Sequence, residues 1–74
     1  MTRSRQTKEY AYVVERLRKA REEARLTQVQ VAKKLKRPQS HISNVESGQQ
    51  RVDVVELQFF AKLYSKDIKY FIKN

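Results

Sequence analysis

A compact all-α fold of five short helices is what this 74-residue sequence predicts, and three observations carry the expectation. Apolar residues recur at three- and four-residue spacing in successive stretches, the pattern of helices with one buried face. Helix-start signals stand ahead of those stretches, at Thr27 with Gln30 and at Asp53 with Glu56. The single proline, Pro38, and the single glycine, Gly48, both fall at expected boundaries.

Residues 1–8 are polar and basic with no periodicity and are expected to form a loosely ordered tail ahead of one domain, 9–74. Arg3, Arg5 and Lys8 are placed to trail over phosphates or enter a minor groove, although a solvated tail is the preferred description. The first helix is expected over 8–24, with Val13, Leu17, Ala20 and Ala24 as its inward stripe and Arg21 at the stripe's edge.

A helix-turn-helix is expected over about 28–47. Thr27 and Gln30 form a capping box, in which side chains satisfy backbone N–H groups reciprocally. Val31, Ala32 and Leu35 give the following helix its apolar face, and Ala32 is small where two helices approach closely. Pro38 lacks an N–H and pushes Arg37 towards extended geometry, so the helix must stop; proline suits the first turn of the next one. Gly48 closes that second helix, because a left-handed stop costs glycine nothing sterically. At 100° per residue Ile42 and Val45 point inward, with Pro38 beside them. Gln39, Ser40, Ser43, Asn44 and Ser47 share the opposite face, and none is charged. Ser and Asn are weak helix formers, so a merely solvated face would favour Lys and Glu instead. Gln and Asn offer a paired donor and acceptor that match adenine in the major groove, and Ser serves several base edges.

A further helix is expected from Asp53 onward. Val54, Leu57, Phe60, Ala61 and Tyr64 should complete the core, while Val55, Phe59 and Leu63 lie on another face at i, i+4, i+8. Those three suggest a partner surface. A last helix over 67–73 adds Ile68, Tyr70, Phe71 and Ile72, some capping the core and the surplus, with Tyr70 and Ile72 foremost, pairing with a second copy. A chain this short gains much by burying such surplus in a dimer.

Composition narrows the partner. Lys and Arg number 17 against 8 Asp and Glu, a formal charge of +9, which favours a polyanion: nucleic acid first, an anionic membrane surface second. With no cysteine there is neither disulfide nor thiolate metal site. The lone His41 is expected to be a packing or backbone-contact residue. One glycine permits no Gly-rich phosphate loop, and no Cys/His/Asp cluster has ligand spacing, so no catalysis, metal or cofactor is expected. No apolar run reaches membrane-span length and no signal-peptide core is present, so a cytoplasmic protein is expected, nucleoid-associated when on DNA.

The run LTQVQVAKKLKRPQSHISNVESGQQRVDVVEL resembles the Cro/C1-type helix-turn-helix of the xenobiotic-response-element family, with a lambda-repressor-like fold. The matching marks are Leu26-Thr27-Gln28, Val31-Ala32, Leu35, Ser40, Ile42-Ser43, Val45-Glu46 and Gly48, preceded by Arg21, within residues 13–64. Two positions depart from the pattern. Lys36 stands at a turn position usually occupied by glycine, at a cost of about 1 kcal/mol if left-handed. Arg37 stands where a buried aliphatic is usual, so Pro38 must help to close the turn. The resemblance implies a partly buried ion pair between Arg21 and Glu46, tying the first helix to the reading helix. It also implies that the loop after Gly48 meets the DNA backbone, with Arg51 the candidate and Gln49 and Gln50 secondary.

The expected function is therefore sequence-specific binding of double-stranded DNA, at a palindromic operator, by a homodimeric transcriptional regulator of the repressor kind. Gln39, Ser40, Ser43 and Asn44 are expected to read bases. Gln28, at a helix start that favours phosphate, joins Lys36, Arg37 and Arg51 in holding the backbone, with Lys33 and Lys34 nearby. The alternative is an antitoxin-like or controller protein whose apolar surface binds another protein, with DNA binding as autoregulation. A basic RNA-binding domain ranks lower, because the aromatics sit on core or assembly stripes and not among the basic residues.

Overall fold

The structure, a computed structural model, describes residues 7–73; Arg3 and Arg5 of the expected basic arm lie outside them. It contains four α-helices, α1 (Lys8–Glu23), α2 (Gln28–Leu35), α3 (Gln39–Ser47) and α4 (Val54–Leu63), then a 3-10 turn, Ile68–Phe71. Side-chain oxygens of Thr7, Thr27 and Asp53 each accept the backbone N–H three residues on, and so open α1, α2 and α4. Only α2 has the full capping box, with Gln30 Oε1 accepting from Thr27 N–H at 2.8 Å.

All four α-helices end alike. The residues at 25, 36, 48 and 65 follow with positive φ. The N–H of the next residue then bonds back across the last turn: Leu26 to Arg21 O, Arg37 to Ala32 O, Gln49 to Asn44 O and Lys66 to Ala61 O. This 6→1 closure satisfies carbonyls that would otherwise be orphaned. Only one of the four left-handed positions is glycine, Gly48; the others are Arg25, Lys36 and Ser65.

The core forms where the four helices converge. Leu17, Ala20, Val31, Ile42, Val45, Phe60 and Phe71 are almost wholly buried, with Val13, Ala32, Leu57, Ala61 and Tyr64 around them. Every helix gives a stripe, so no helix buries its face without the others.

Three expectations need correcting. The fifth helix is absent: between Asp67 and Ile72 the chain makes i→i+3 bonds (Tyr70 N to Asp67 O, Ile72 N to Lys69 O) instead of α-helical ones. Asp67 Oδ1 caps Lys69 N–H only two residues away, Phe71 is fixed in the core, and Tyr70 O is taken by Arg16 Nε at 3.1 Å. These anchors hold the tight turn. Pro38 does not lie inward beside Ile42 and Val45. It is the extended N-cap residue of α3, at ψ 149°, so helical phase does not extend to it and its ring is exposed. Val54 is not core: at the first position of α4, on the edge of the stripe, it stays 64% exposed.

Candidate nucleic-acid interface

The turn between α2 and α3 is shaped by two residues in sequence. Lys36 adopts φ 58°, ψ 45° and reverses the chain, and Pro38 resumes it as an extended cap. The departure from glycine at 36 therefore keeps the left-handed geometry and bears its steric cost. The reversal leaves Lys36 and Arg37 exposed beside the first turn of α3.

Behind α3 lies a polar chain that crosses three helices. Glu46 faces inward on α3 and is 8% exposed. Arg21 of α1 meets it with two parallel bonds, Nε to Oε2 at 2.7 Å and Nη2 to Oε1 at 3.1 Å, and gives Nη1 to Leu26 O at 2.9 Å. The carboxylate raises the Arg21 pKa, so the guanidinium is charged throughout the accessible range. Gln28 Nε2 donates to the same Glu46 Oε1 at 3.1 Å, and Gln39 Nε2 donates to Gln28 Oε1 at 2.9 Å. A carboxylate only accepts, so Gln28 must turn its NH2 towards Glu46 and its carbonyl towards Gln39. That polarity fixes Gln39 as the donor in turn: the residue is exposed, and its own Oε1 and one remaining N–H make no hydrogen bond among the described residues. Sequence reasoning treated Gln28 and Gln39 separately, whereas the structure joins them.

The rest of the uncharged face follows along α3. Ser40 is exposed, and Ser43 and Asn44 are half-buried. Among the described residues their side chains make no hydrogen bonds, so their donors and acceptors are unspent. Ser47 Oγ instead turns back to Asn44 O at 3.1 Å. Cations frame this face. Arg37 is exposed and leans loosely on Glu56, at 3.9 Å, and Glu56 Oε2 also meets His41 Nε2 at 2.7 Å. Glu56 thereby braces α3 against α4, so its carboxylate does not complete a box at Asp53. His41 is half-buried and packs against α4 through this polar contact.

On the other side, the loop after Gly48 presents Arg51, whose guanidinium lies 4.3 Å from the centre of the Tyr10 ring. Tyr10 OH accepts Val52 N–H at 3.0 Å. Tyr10 had no assigned role; its spacing, three residues before Val13 on the inward stripe, was the available signal.

The expected assembly residues divide. Val55, Phe59 and Ile72 are 54%, 57% and 46% exposed, and Val54 joins them. Leu63 is half-buried against the core. Tyr70 lies between cations, 4.1 Å from the Arg16 guanidinium and 4.5 Å from Lys66 Nζ, with its hydroxyl buried. Lys66 also pairs with Glu23 at 2.8 Å, which lowers the Glu23 pKa and raises its own. No group of His, Asp and Glu among the described residues has metal-binding geometry, and no helix there is long and apolar enough to cross a membrane.

In comparison with known proteins, the family model described as a helix-turn-helix domain matches residues 13–65, well over half of the chain. No curated protein matches it.

Proposed function

Because this chain belongs to the helix-turn-helix domain family, we propose that it is a sequence-specific DNA-binding protein, a homodimeric transcriptional regulator of the Cro/C1 kind that acts as a repressor. The observation that carries the reading is the hydrogen-bond chain from Arg21 through Glu46 and Gln28 to Gln39. It spends one Gln39 amide N–H on Gln28 and leaves the Oε1 and second N–H of this exposed side chain, at the start of α3, for an outside partner. An Oε1 and an N–H are the pair that an adenine edge takes in the major groove.

Ser40, Ser43 and Asn44 extend base reading along α3. Lys36, Arg37 and Arg51 take phosphates on either side, and Gln28 offers its remaining N–H to the backbone at the start of α2. A dimer would place two copies of α3 about 34–36 Å apart on one face of a palindromic duplex. The exposed Val54, Val55 and Phe59 on α4 support self-association, with Ile72 as a further apolar contact. In this reading the protein works in the cytoplasm, at the nucleoid. The same apolar residues also favour a second reading, a controller or antitoxin-like protein that binds a different polypeptide there and regulates itself through DNA.

Titration of labelled duplex DNA, with single-stranded RNA as competitor, tests the proposal. Tight, salt-sensitive duplex binding that RNA does not displace, weakened at particular base pairs by Gln39→Ala, is expected. Equal competition by RNA would refute it. Sedimentation equilibrium separates the two assemblies: self-association supports the homodimer, and a strict monomer at high concentration favours the heteromeric reading.

A further inference from the structure

Tyr10 spans from the first turn of α1 to the loop between α3 and α4, 42 positions away in sequence, and touches that loop twice. Its hydroxyl accepts the N–H of Val52 at 3.0 Å, and its ring carries the Arg51 guanidinium at 4.3 Å. The two ends of the loop have their own fastenings. Gln49 and Gln50 N–H bond to Asn44 O, and Asp53 Oδ1 caps Glu56 N–H. Tyr10 supplies the contacts found for the middle, Arg51 and Val52, among the described residues.

The geometry has a chemical consequence. Stacking occupies the face of a guanidinium, while its N–H donors lie in its plane. An arginine held on a ring therefore keeps its edge available to an oxyanion, in a fixed direction, with its rotamer freedom already spent. Arg51 makes no salt bridge among the described residues, although Glu9 lines the same shallow groove with Lys73. Its charge is thus stacked but not neutralised.

We propose that Tyr10 is a positioning residue for DNA binding: it holds Arg51 in the direction in which its guanidinium edge meets a backbone phosphate beside the reading helix. This rests on the DNA-binding reading and adds to it a residue outside the helix-turn-helix. It makes α1 part of the interface without touching DNA.

The test is the salt dependence of duplex affinity between 50 and 200 mM for wild type, Arg51→Ala, Tyr10→Leu, the double variant and Tyr10→Phe. One phosphate contact contributes about 0.9 to the slope of log affinity against log salt, and the proposed homodimer makes two, so wild type should lose about twelvefold more affinity over that range than either Arg51→Ala or Tyr10→Leu. The double variant should match the singles, and Tyr10→Phe, which keeps the ring, should keep the wild-type slope. A wild-type slope in folded Tyr10→Leu would overturn the proposal, as would a further loss in the double variant. So would a wild-type slope in Arg51→Ala, since no contact would remain to be positioned. Failure of the DNA-binding reading looks different: wild type itself would then bind no duplex, and both ideas would fall together. If Tyr10→Leu does not fold, NMR of the wild type decides. The Arg51 side-chain protons should be shifted upfield by the ring with and without duplex, and loss of that shift on DNA would overturn the proposal.

Discussion

Replacing Lys36 by glycine should make this protein more stable, although it removes a side chain and adds no contact. Lys36 sits at φ 58°, ψ 45°, where an L-residue's Cβ crowds the following carbonyl at a cost of about 1–2 kcal/mol. Glycine escapes that cost but loses about 0.5–1 kcal/mol through the greater freedom of its unfolded chain. The net gain is about 0.5–1 kcal/mol, or roughly 3–6 °C in Tm for a domain of this size. The opposite exchange at the matching position gives an internal control. Gly48 ends α3 with the same closure at φ 84°, so Gly48→Ala should lose about 1 kcal/mol. Ser65→Gly, at a residue with no proposed DNA contact and also left-handed at φ 57°, should repeat the Lys36 result without a change in charge. Urea denaturation with equal m-values is the assay, because unchanged m assigns the shift to stability alone. If Lys36→Gly and Ser65→Gly were both neutral or destabilising while Gly48→Ala cost nothing, the left-handed closures described here would be wrong.

Four other variants test the core and the proposed site. Glu46→Ala strands a largely buried Arg21 and frees Gln28 and Gln39, so chemical denaturation should show a loss of about 3 kcal/mol. Tyr64→Phe removes a buried hydroxyl that has no partner among the described residues, and should be neutral to stabilising by about 1 kcal/mol at pH 7. Burial pushes the Tyr64 pKa above its usual 10, so the folded state keeps a proton that the unfolded state loses. Stability should then be intact below pH 10 and fall by about 1.4 kcal/mol per pH unit above it, and a stability series in Tyr64→Phe should lack that component. Asn44→Ala should relax preference at particular base pairs by about 1–3 kcal/mol, read by competition among duplexes. Arg37→Ala should weaken all duplexes alike and flatten the salt slope.

Local signals carried most of the fold into view from the sequence. The Thr27–Gln30 box, the glycine stop at 48, the stripes of α1 and α2 and the Ile42–Val45 pair of α3 rest on residues close in sequence, and there pattern and structure agree, Pro38 excepted. Disagreement appears where tertiary contacts decide. Whether residues 67–73 form a helix depends on Arg16, which takes the Tyr70 carbonyl, and on Phe71 entering the core. Val54 has the right phase for burial but lies at the first position of α4 and remains exposed. The left-handed ends at Arg25 and Ser65 were invisible because neither residue type announces that geometry. In the candidate site, the individual residues of the α3 face could be read from their uncharged character, but their coupling could not. Gln28 and Gln39 are 11 positions apart, Tyr10 and Val52 are 42 apart, and no periodicity links such pairs.

Selection of binding sites from a random pool of duplex DNA tests the central claim most directly. The account predicts enrichment of one palindromic sequence, with half-sites about one helical turn apart. Binding that remained salt-sensitive but enriched no sequence would contradict it, and would leave α3 with no bases to read.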